Sequence, residues 1–225
     1  MPSLHIQCFC LGDWMTNCFV VHAPGPEGAS GKAAPQPCGI VDAGFQPAPL
    51  IEYIRARDLE PSHVVLTHAH VDHIAGLSDV RAAWPEVPIL IHESERSFLL
   101  DPALNLSSAL GEPVIAPAAT GVLVPGQELA MGGFRFEVRH TPGHSPGGVT
   151  LYARAQDVAI VGDALFAGSV GRADFPTSDQ ALLFKSIREQ LLSLPDQTRV
   201  LSGHGPETTI GRERQTNPFL SHVGR

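Results

Sequence analysis

The segment Thr67-His68-Ala69-His70-Val71-Asp72-His73 places three imidazoles and one carboxylate within seven residues. It follows the apolar run 63–66, which predicts a buried strand, and it precedes 74–77, where a helical pattern begins. Residues two apart cannot share a helix face, but in a loop His68 and His70 can converge on one ion. Asp72 and His73 then face a second position. Imidazole and carboxylate ligands suit zinc, iron or manganese better than calcium. The segment therefore predicts a transition-metal site at a strand end, rather than a histidine-rich surface turn.

The composition is that of an ordinary globular chain, with 225 residues, of which 43% are hydrophobic and 17% charged. The net charge is −8 and the basic residues are scattered. This argues against a nucleic-acid partner, because phosphate backbones are bound by clustered basic residues. No apolar run approaches the length of a membrane span, and residues 1–5 lack the features of a secretory signal. We therefore expect a cytoplasmic protein with no membrane partner, while the oligomeric state stays open.

The four cysteines lie in or beside predicted strands and are Cys8, Cys10, Cys18 and Cys38. Cys8 and Cys10 would face the same side of one strand, because alternate strand residues do so. We interpret all four as reduced, partly buried thiols rather than as a disulfide or a cysteine metal site.

Short apolar runs predict strands with helices interspersed in both halves of the chain. The predicted strands are 4–11, 17–22, 39–44, 63–66, 87–92, 134–139, 149–152, 158–161 and 200–201, and the predicted helices are 49–57, 74–84, 93–100 and 179–194. This order favours two packed sheets with helices outside over one doubly wound sheet. Residues 23–37, rich in proline, glycine and alanine, predict an exposed loop. Residues 103–125 predict a second, longer loop of a kind that is often functional.

Three further segments place ligand-type residues just after predicted strands. Residues 140–148 contain two prolines and three glycines, which predict a tight turn that presents His144. Asp163 follows the strand 158–161, and His204 lies between glycines in 203–206. Each feature alone is more often an ordinary surface histidine or a turn-forming acid. Four such loops in one chain favour a metal site.

Together these loops resemble those of the metallo-β-lactamase superfamily and, within it, the compact glyoxalase II-like hydrolases. The resemblance extends from Asn17-Cys18-Phe19 to Asn217-Pro218-Phe219-Leu220, and the Thr-His-x-His-x-Asp-His motif is specific for the superfamily. It implies an α/β (α+β) fold, a four-layered αββα sandwich with the site between the sheet edges. It also implies one domain of this fold over residues 1–225.

The resemblance implies seven ligands for two divalent metal ions, with zinc as the default and iron or manganese as alternatives. One ion would be held by His68, His70 and His144, the other by Asp72, His73 and His204, and Asp163 would bridge them. Asp72 would also orient the attacking water. The implied reaction is hydrolysis of a glutathione thioester, such as S-lactoylglutathione, through a metal-bridging hydroxide.

Residues around the ligands can be assigned less directly. Metal-bound imidazoles need outer hydrogen-bond acceptors, and we predict Asp42 for this role. We also predict that His140 lies just outside the ligands, and the alternative is an exposed surface histidine. Asp42 is equally well interpreted as a turn former before a glycine. Arg172 follows the Asp163 loop and could bind a glutathione carboxylate with both arms of its guanidinium group. It is equally well interpreted as the partner of Asp174 in a structural ion pair.

Two other functions remain open. A mononuclear iron persulfide dioxygenase would share the first motif and the Gly171-Arg172-Ala173-Asp174-Phe175 stretch, whereas the intact 203–206 loop favours two ions and hydrolysis. A non-catalytic metal-binding scaffold would keep the ligands and lose the activity. Metallo-β-lactamases themselves generally lack an acid where this chain has Asp163, and lactonases usually carry a tyrosine where it has Phe166. Both residues therefore favour a thioester substrate.

Overall fold

The computed structural model describes residues 3–24, 35–111 and 113–220, which form two six-stranded sheets and a small hairpin. The first sheet runs in the order β1 (His5–Leu11), β2 (Thr16–His22), β3 (Gln36–Val41), β4 (Leu59–Val65), β5 (Ile89–His92) and β6 (Gly121–Leu123). The remaining strands are β7 (Glu128–Met131), β8 (Phe134–His140), β9 (Val149–Ala153), β10 (Val158–Gly162), β11 (Leu165–Phe166), β12 (Ser169–Val170), β13 (Arg199–Ser202) and β14 (Thr208–Thr209). The second sheet has the order β14-β13-β10-β9-β8-β7, and β11 pairs with β12.

The helices are short and alternate with these strands along the chain. They are α1 (Ala48–Ala56), α2 (Val71–Ile74), α3 (Leu77–Ala83), α4 (Gln180–Ser186) and α5 (Ile210–Thr216). Three 3₁₀ segments occupy Glu93–Leu100, Ser107–Leu110 and Arg154–Gln156, and a π-helical turn, Ile187–Leu191, continues α4. Of the helices in the described part of the chain, none is long and apolar enough to cross a bilayer.

Three separate clusters of buried apolar side chains show how the layers are arranged. Leu50 of α1 and Leu77 of α3 belong to the cluster that packs on the outer face of the first sheet. Phe19 and Phe136 belong to the cluster between the two sheets. Leu183 of α4 belongs to the cluster on the outer face of the second sheet. Burial of each such side chain stabilises the fold by about 1.5–3 kcal/mol. The layers are therefore helix, sheet, sheet and helix, which confirms the predicted αββα sandwich.

Parallel pairs of strands bring the predicted site residues to one edge. β3 runs parallel to β4, and β10 runs parallel to β13, so the carboxyl ends within each pair lie side by side. Asp42 follows β3 and Thr67 follows β4. Asp163 follows β10 and His204 follows β13. The two sheets thus deliver their strand-end loops to a common edge.

Some element bounds differ from the prediction. The strand predicted at 63–66 begins at Leu59 and includes Pro61, although proline cannot donate a ladder hydrogen bond. A register shift between Cys38 and Gly39 accommodates it, and the Ser62 hydroxyl donates to the Cys38 carbonyl at 2.9 Å. The helix predicted over 179–194 is divided into α4 and the π-helical turn.

Other elements were not predicted. β7 and α5 were missed, and the predicted loop 103–125 contains a 3₁₀ turn and β6. The predicted loop 23–37 falls largely on residues 25–34, which lie outside the described residues, and its end belongs to β3. All four cysteines are free thiols; Cys8 and Cys10 are exposed, whereas Cys18 and Cys38 are buried.

Candidate metal centre

The seven predicted ligands lie together where the ends of the two sheets meet. Their side chains form three overlapping groups, each with candidate ligand atoms within 4.8 Å of one another: His68–His70–His144, His68–His73–Asp163 and Asp72–His73–His204. Six of the seven side chains are buried, and His204 is partly exposed. The first and third groups have the membership that the resemblance implied. We refer to them as the first and second ligand sets.

Several buried polar atoms of this cluster make no hydrogen bond. They are Nε2 of His68, His70 and His73, and Oδ1 of Asp163. Burial of an unpaired polar atom normally costs about 1–3 kcal/mol, so a group of them in one place requires a partner. Imidazole nitrogens and a carboxylate oxygen are ligands that divalent transition metals prefer. The residues present therefore fit metal ions.

Asp163 lies between the two ligand sets. Its Oδ2 atom is 3.6 Å from His144 Nε2 in the first set and 3.5 Å from His204 Nε2 in the second. Its Oδ1 atom is 3.4 Å from His73 Nε2. A carboxylate in this position could contact an ion in each set, as the resemblance implied.

The local fold presents the ligands of the first motif in two directions. His68 and His70 lie on the turn that follows β4, and His70 is the extended residue that precedes α2. Asp72 and His73 lie within the single turn of α2. The backbone N–H of Val71 donates to the carbonyl of Asn105 at 2.9 Å, which ties the motif to the loop predicted as functional.

Asp42 lies where an outer acceptor was predicted. Its Oδ2 atom is 2.8 Å from His73 Nδ1 and accepts from the Thr67 hydroxyl at 2.7 Å. Its Oδ1 atom accepts from the backbone N–H of Thr67 at 2.8 Å. Asp42 itself has a left-handed backbone, with φ of 60°, so it also turns the chain after β3. This geometry joins both interpretations of Asp42, because the turn orients the carboxylate toward His73 Nδ1 and leaves Nε2 for an ion.

His140 makes a different set of contacts. Its Nε2 atom is 3.0 Å from the Pro146 carbonyl, and its ring stacks on His92 at a centroid distance of 4.2 Å. These partners are not among the seven predicted ligands. His140 thus bonds the backbone of the turn that carries His144, and its place just outside the ligands stays a prediction.

The backbone of Arg172, rather than its side chain, contacts the ligands. The Arg172 carbonyl lies 2.8 Å from His144 Nδ1, where it can accept a hydrogen bond and leave Nε2 for an ion. The guanidinium group instead pairs with both oxygens of Asp174, at 3.0 and 2.9 Å. This is the ion pair that was the alternative interpretation of Arg172.

Glu95 is a buried carboxylate that the sequence interpretation missed. Its Oε2 atom accepts from the backbone N–H of Ala69 at 2.5 Å, and Oε1 accepts from Gly147 N–H at 2.7 Å and from the Ser145 hydroxyl. Burial raises its pKa. Glu95 thus joins the His68–His70 turn to the turn that carries His144. The sequence did hold one indication of its burial, because Glu95, Phe98 and Leu99 have the spacing of residues on one helical face.

Two residues at the start of β2 hold the second ligand set, and they were also missed. The Thr16 hydroxyl donates to Asp72 Oδ2 at 2.8 Å. The Asn17 amide donates to the carbonyls of Ser202 and Gly205, at 3.0 and 2.9 Å, on both sides of His204. A single hydroxyl and amide in a strand carry no sequence signal of their own.

The first ligand set is electrically neutral near neutral pH. Burial lowers the pKa of His68 and of His144, and it lowers the pKa of His70 to about 3. Their mutual repulsion as imidazolium ions acts in the same direction for His68 and His70. These rings are therefore ready to bind an ion without losing a proton.

The second ligand set is charged. Burial acts to lower the pKa of His73, but the carboxylates of Asp72, Asp42 and Asp163 outweigh it and raise that pKa well above the usual range. Burial acts to lower the pKa of His204 as well, but the contact with Asp72 at 3.1 Å and the charge of Asp163 outweigh it and raise that pKa. In the metal-free protein the nearby carboxylates therefore favour the positively charged forms of His73 and His204.

The cluster opens into a cleft of about 740 Å³, large enough for a small organic substrate. Its floor includes Asp72, Asp163 and His204, and its walls are largely apolar. The larger wall side chains are Trp14, Leu106, Leu110, Phe166, Phe175 and Pro176, and Arg172 lies at the same cleft.

Comparison with known proteins shows which family the chain is similar to. A model of the metallo-beta-lactamase superfamily matches residues 11–204. The probable metallo-hydrolase YqgX of Bacillus subtilis (strain 168) is 44% identical over 185 residues, which are 82% of this chain and 87% of that protein. The hydroxyacylglutathione hydrolase GloC of Haemophilus influenzae is 35% identical over 189 residues, which are 81% of this chain and 86% of that protein.

Solved structures are similar over almost the whole chain. The B3 metallo-beta-lactamase BLEG-1 is 40% identical, with a TM-score of 0.87, over 96% of this chain and 100% of that one. The protein TTHA1623, solved in a di-iron-bound form, is 35% identical, with a TM-score of 0.80, over 95% of this chain and 100% of that one. From the fold, the ligand cluster and these matches, the chain belongs to the metallo-β-lactamase superfamily.

Proposed function

We propose that this protein hydrolyses glutathione thioesters, such as S-lactoylglutathione, with two divalent metal ions. The observation that supports this most strongly is the pair of complete ligand sets with Asp163 between them. A mononuclear iron dioxygenase would need only one of these sets. The relative named hydroxyacylglutathione hydrolase supports the substrate.

The chemistry of the donor set suits this reaction. Bound divalent ions would lower the pKa of water toward neutrality and polarise the thioester carbonyl. Hydrolysis forms a bond from the water oxygen to the carbonyl carbon and breaks the carbon–sulfur bond, and the thiolate leaves and takes up a proton. Asp72 lines the cleft, and Thr16 and His204 hold its carboxylate, so Asp72 would orient the water.

Zinc is the proposed metal, because histidine and carboxylate ligands form its usual catalytic sites. The di-iron form of TTHA1623 supports iron as the alternative. Manganese fits the same ligand types.

Arg172 is the proposed contact for a glutathione carboxylate. Its side chain is 69% exposed, and its guanidinium carbon lies 4.6 Å from the centre of the Phe175 ring at the cleft. Since the guanidinium group is paired with Asp174, a substrate carboxylate would have to compete for it. Exposed ion pairs are weak, so this competition costs little.

A substrate panel tests the proposal. Protein loaded with zinc, and separately with iron, is assayed for loss of thioester absorbance with S-lactoylglutathione, oxygen consumption with glutathione persulfide, and cleavage of a chromogenic β-lactam. We expect thioester hydrolysis in the zinc protein to exceed both other activities. Oxygen consumption with one iron per chain would instead support a persulfide dioxygenase, and efficient β-lactam cleavage alone would support a lactamase. Bound metal without any turnover would support a scaffold.

A further inference from the structure

We propose that the cleft selects thioesters with an apolar acyl chain over the small, hydroxylated lactoyl group. The inference rests on the thioester hydrolysis proposed above and names the acyl group that the same site prefers. It follows from the walls of the cleft, from two aromatic rings beside the ligands, and from a strained loop residue.

The walls expose apolar surface that a substrate could cover. Trp14 is 44% exposed and Leu110 is 43% exposed, although both are large apolar side chains. They line the cleft that contains Asp72 and His204. Covering apolar surface is favourable in proportion to the area removed from water, so a hydrocarbon chain gains free energy here.

An aromatic ring lies beside each ligand set. The Phe175 ring is 5.2 Å from that of His70 and 5.8 Å from that of His144. The Phe166 ring is 6.1 Å from that of His204. A substrate carbonyl near the ligands would therefore place its substituents against aromatic surface.

Leu106 is held in the cleft by a strained and well-anchored turn. Its backbone is left-handed, with φ of 70° and ψ of 4°, which is rare for a bulky residue and is tolerated only where the surroundings enforce it. The buried side chain of Asn105 enforces it: the amide donates to the carbonyls of Phe98 and Val114, both at 3.0 Å, and its oxygen accepts from Ser107 N–H. The apolar wall is thus built into the fold.

Polar groups that could bind a lactoyl hydroxyl are few. Of the described residues that line the cleft outside the ligands, only Ser108 and Arg172 have hydrogen-bonding side chains besides the Trp14 indole. Arg172 is already paired with Asp174. The lining therefore makes more favourable contacts with a hydrocarbon chain than with a hydroxyl group.

An acyl series on one thiol tests this inference separately from the proposed function. Acetyl-, butanoyl- and hexanoylglutathione are compared with S-lactoylglutathione in the zinc-loaded protein. We expect kcat/KM to rise about tenfold or more from acetyl to hexanoyl, as added methylenes fill an apolar pocket. Turnover that is equal along the series, or highest for lactoyl, would overturn the inference and leave the hydrolase standing.

Binding of inert thioethers decides the inference even if no thioester is turned over. S-hexylglutathione and S-methylglutathione are titrated into the metal-loaded protein by calorimetry. We expect the hexyl compound to bind about tenfold more tightly. Equal affinities would overturn the inference, whereas an absence of turnover with every thioester would overturn the proposed function.

A matched pair of leucine variants locates the effect in the cleft. Leu110→Ser removes an apolar wall, and Leu100→Ser changes a leucine that is 52% exposed but is not among the cleft residues. We expect Leu110→Ser to reduce the hexanoyl-to-acetyl ratio of kcat/KM several-fold and Leu100→Ser to leave it unchanged. If the hexanoyl-to-acetyl ratio were the same in both variants, the acyl chain would not bind in this cleft.

Discussion

Gly203 packs so closely on Asp163 that a Cβ atom at position 203 would overlap Asp163 Oδ1 and crowd the His73 ring. The backbone of the His204 loop therefore approaches the centre of the ligand cluster directly. Position 203 requires glycine because no space remains for a side chain, and not because of its φ angle. The contact links the loop after β13 to the carboxylate after β10.

Gly203→Ala is expected to weaken metal binding by about 10–100-fold, the usual effect of a disturbed outer contact. The added methyl group must displace Asp163 or the loop. Competition with a chromogenic chelator measures the affinity. Gly205→Ala is the control in the same loop: its φ of 75° strains alanine, but a Cβ there meets no atom within 4 Å. Equal losses of affinity in both variants would show that loop strain, not Asp163, is responsible.

Glu95→Ala is expected to lower the free energy of unfolding by on the order of 3 kcal/mol, because the buried N–H groups of Ala69 and Gly147 lose their acceptor. It should also weaken metal binding, since two ligand turns lose their common contact. Denaturant unfolding and chelator competition measure the two effects. Glu93→Ala, an exposed glutamate two residues away, is the control and should change neither. A stable variant with normal metal affinity would remove Glu95 from this role.

The two ligand sets are expected to release different numbers of protons when they bind metal. The raised pKa values of His73 and His204 favour their protonated forms in the metal-free protein, whereas the lowered pKa values of His68, His70 and His144 favour neutral rings. An ion that enters the first set should therefore release fewer protons than an ion that enters the second. The affinity for the second equivalent should accordingly fall as the pH falls below 7.

Calorimetry in buffers of different ionisation enthalpy counts these protons. The variant His204→Ala should reduce the proton release on the second equivalent, because one histidine that favours protonation is removed. Equal proton release by both equivalents would contradict the assigned protonation states.

Asp174→Ala is expected to lower the KM for S-lactoylglutathione, because it frees the Arg172 guanidinium group. Arg172→Ala should raise the KM a few-fold and leave kcat unchanged, the pattern of lost uniform binding. Steady-state kinetics of both variants measure KM and kcat. Arg188→Ala, which changes an exposed arginine elsewhere, is the control and should change neither. An unchanged KM in Arg172→Ala would show that the arginine serves only the ion pair.

The parts of the fold that the sequence revealed are those with local patterns. The glycines and prolines around His144 and His204 mark strand-end turns, and the first motif places four ligand-type residues in seven positions. These features are short-range, so they could be interpreted without knowledge of the packing. The alternation of strands and helices in both halves was enough to predict the two-sheet sandwich.

The parts that were missed depend on contacts between distant residues. Glu95 lies among the charged residues Glu93 and Arg96, and its partner Gly147 is 52 positions away in the chain. Pro61 disfavours a strand locally, but the register shift beside it permits one. The second residue of α5 is a glycine and most of its other residues are polar, so the sequence did not indicate a helix with a buried face.

The most direct test of two-ion thioester hydrolysis is a titration of metal-free protein with zinc, in which the rate of S-lactoylglutathione hydrolysis is measured at each ratio of ions to chain. We predict that the rate stays low up to the first equivalent and reaches its maximum at the second. Asp72→Ala, which removes one ligand of the second set, should bind one ion and lose more activity than the roughly 10–100-fold typical of outer-shell changes. Full activity at one ion per chain, or normal activity in Asp72→Ala, would contradict the account.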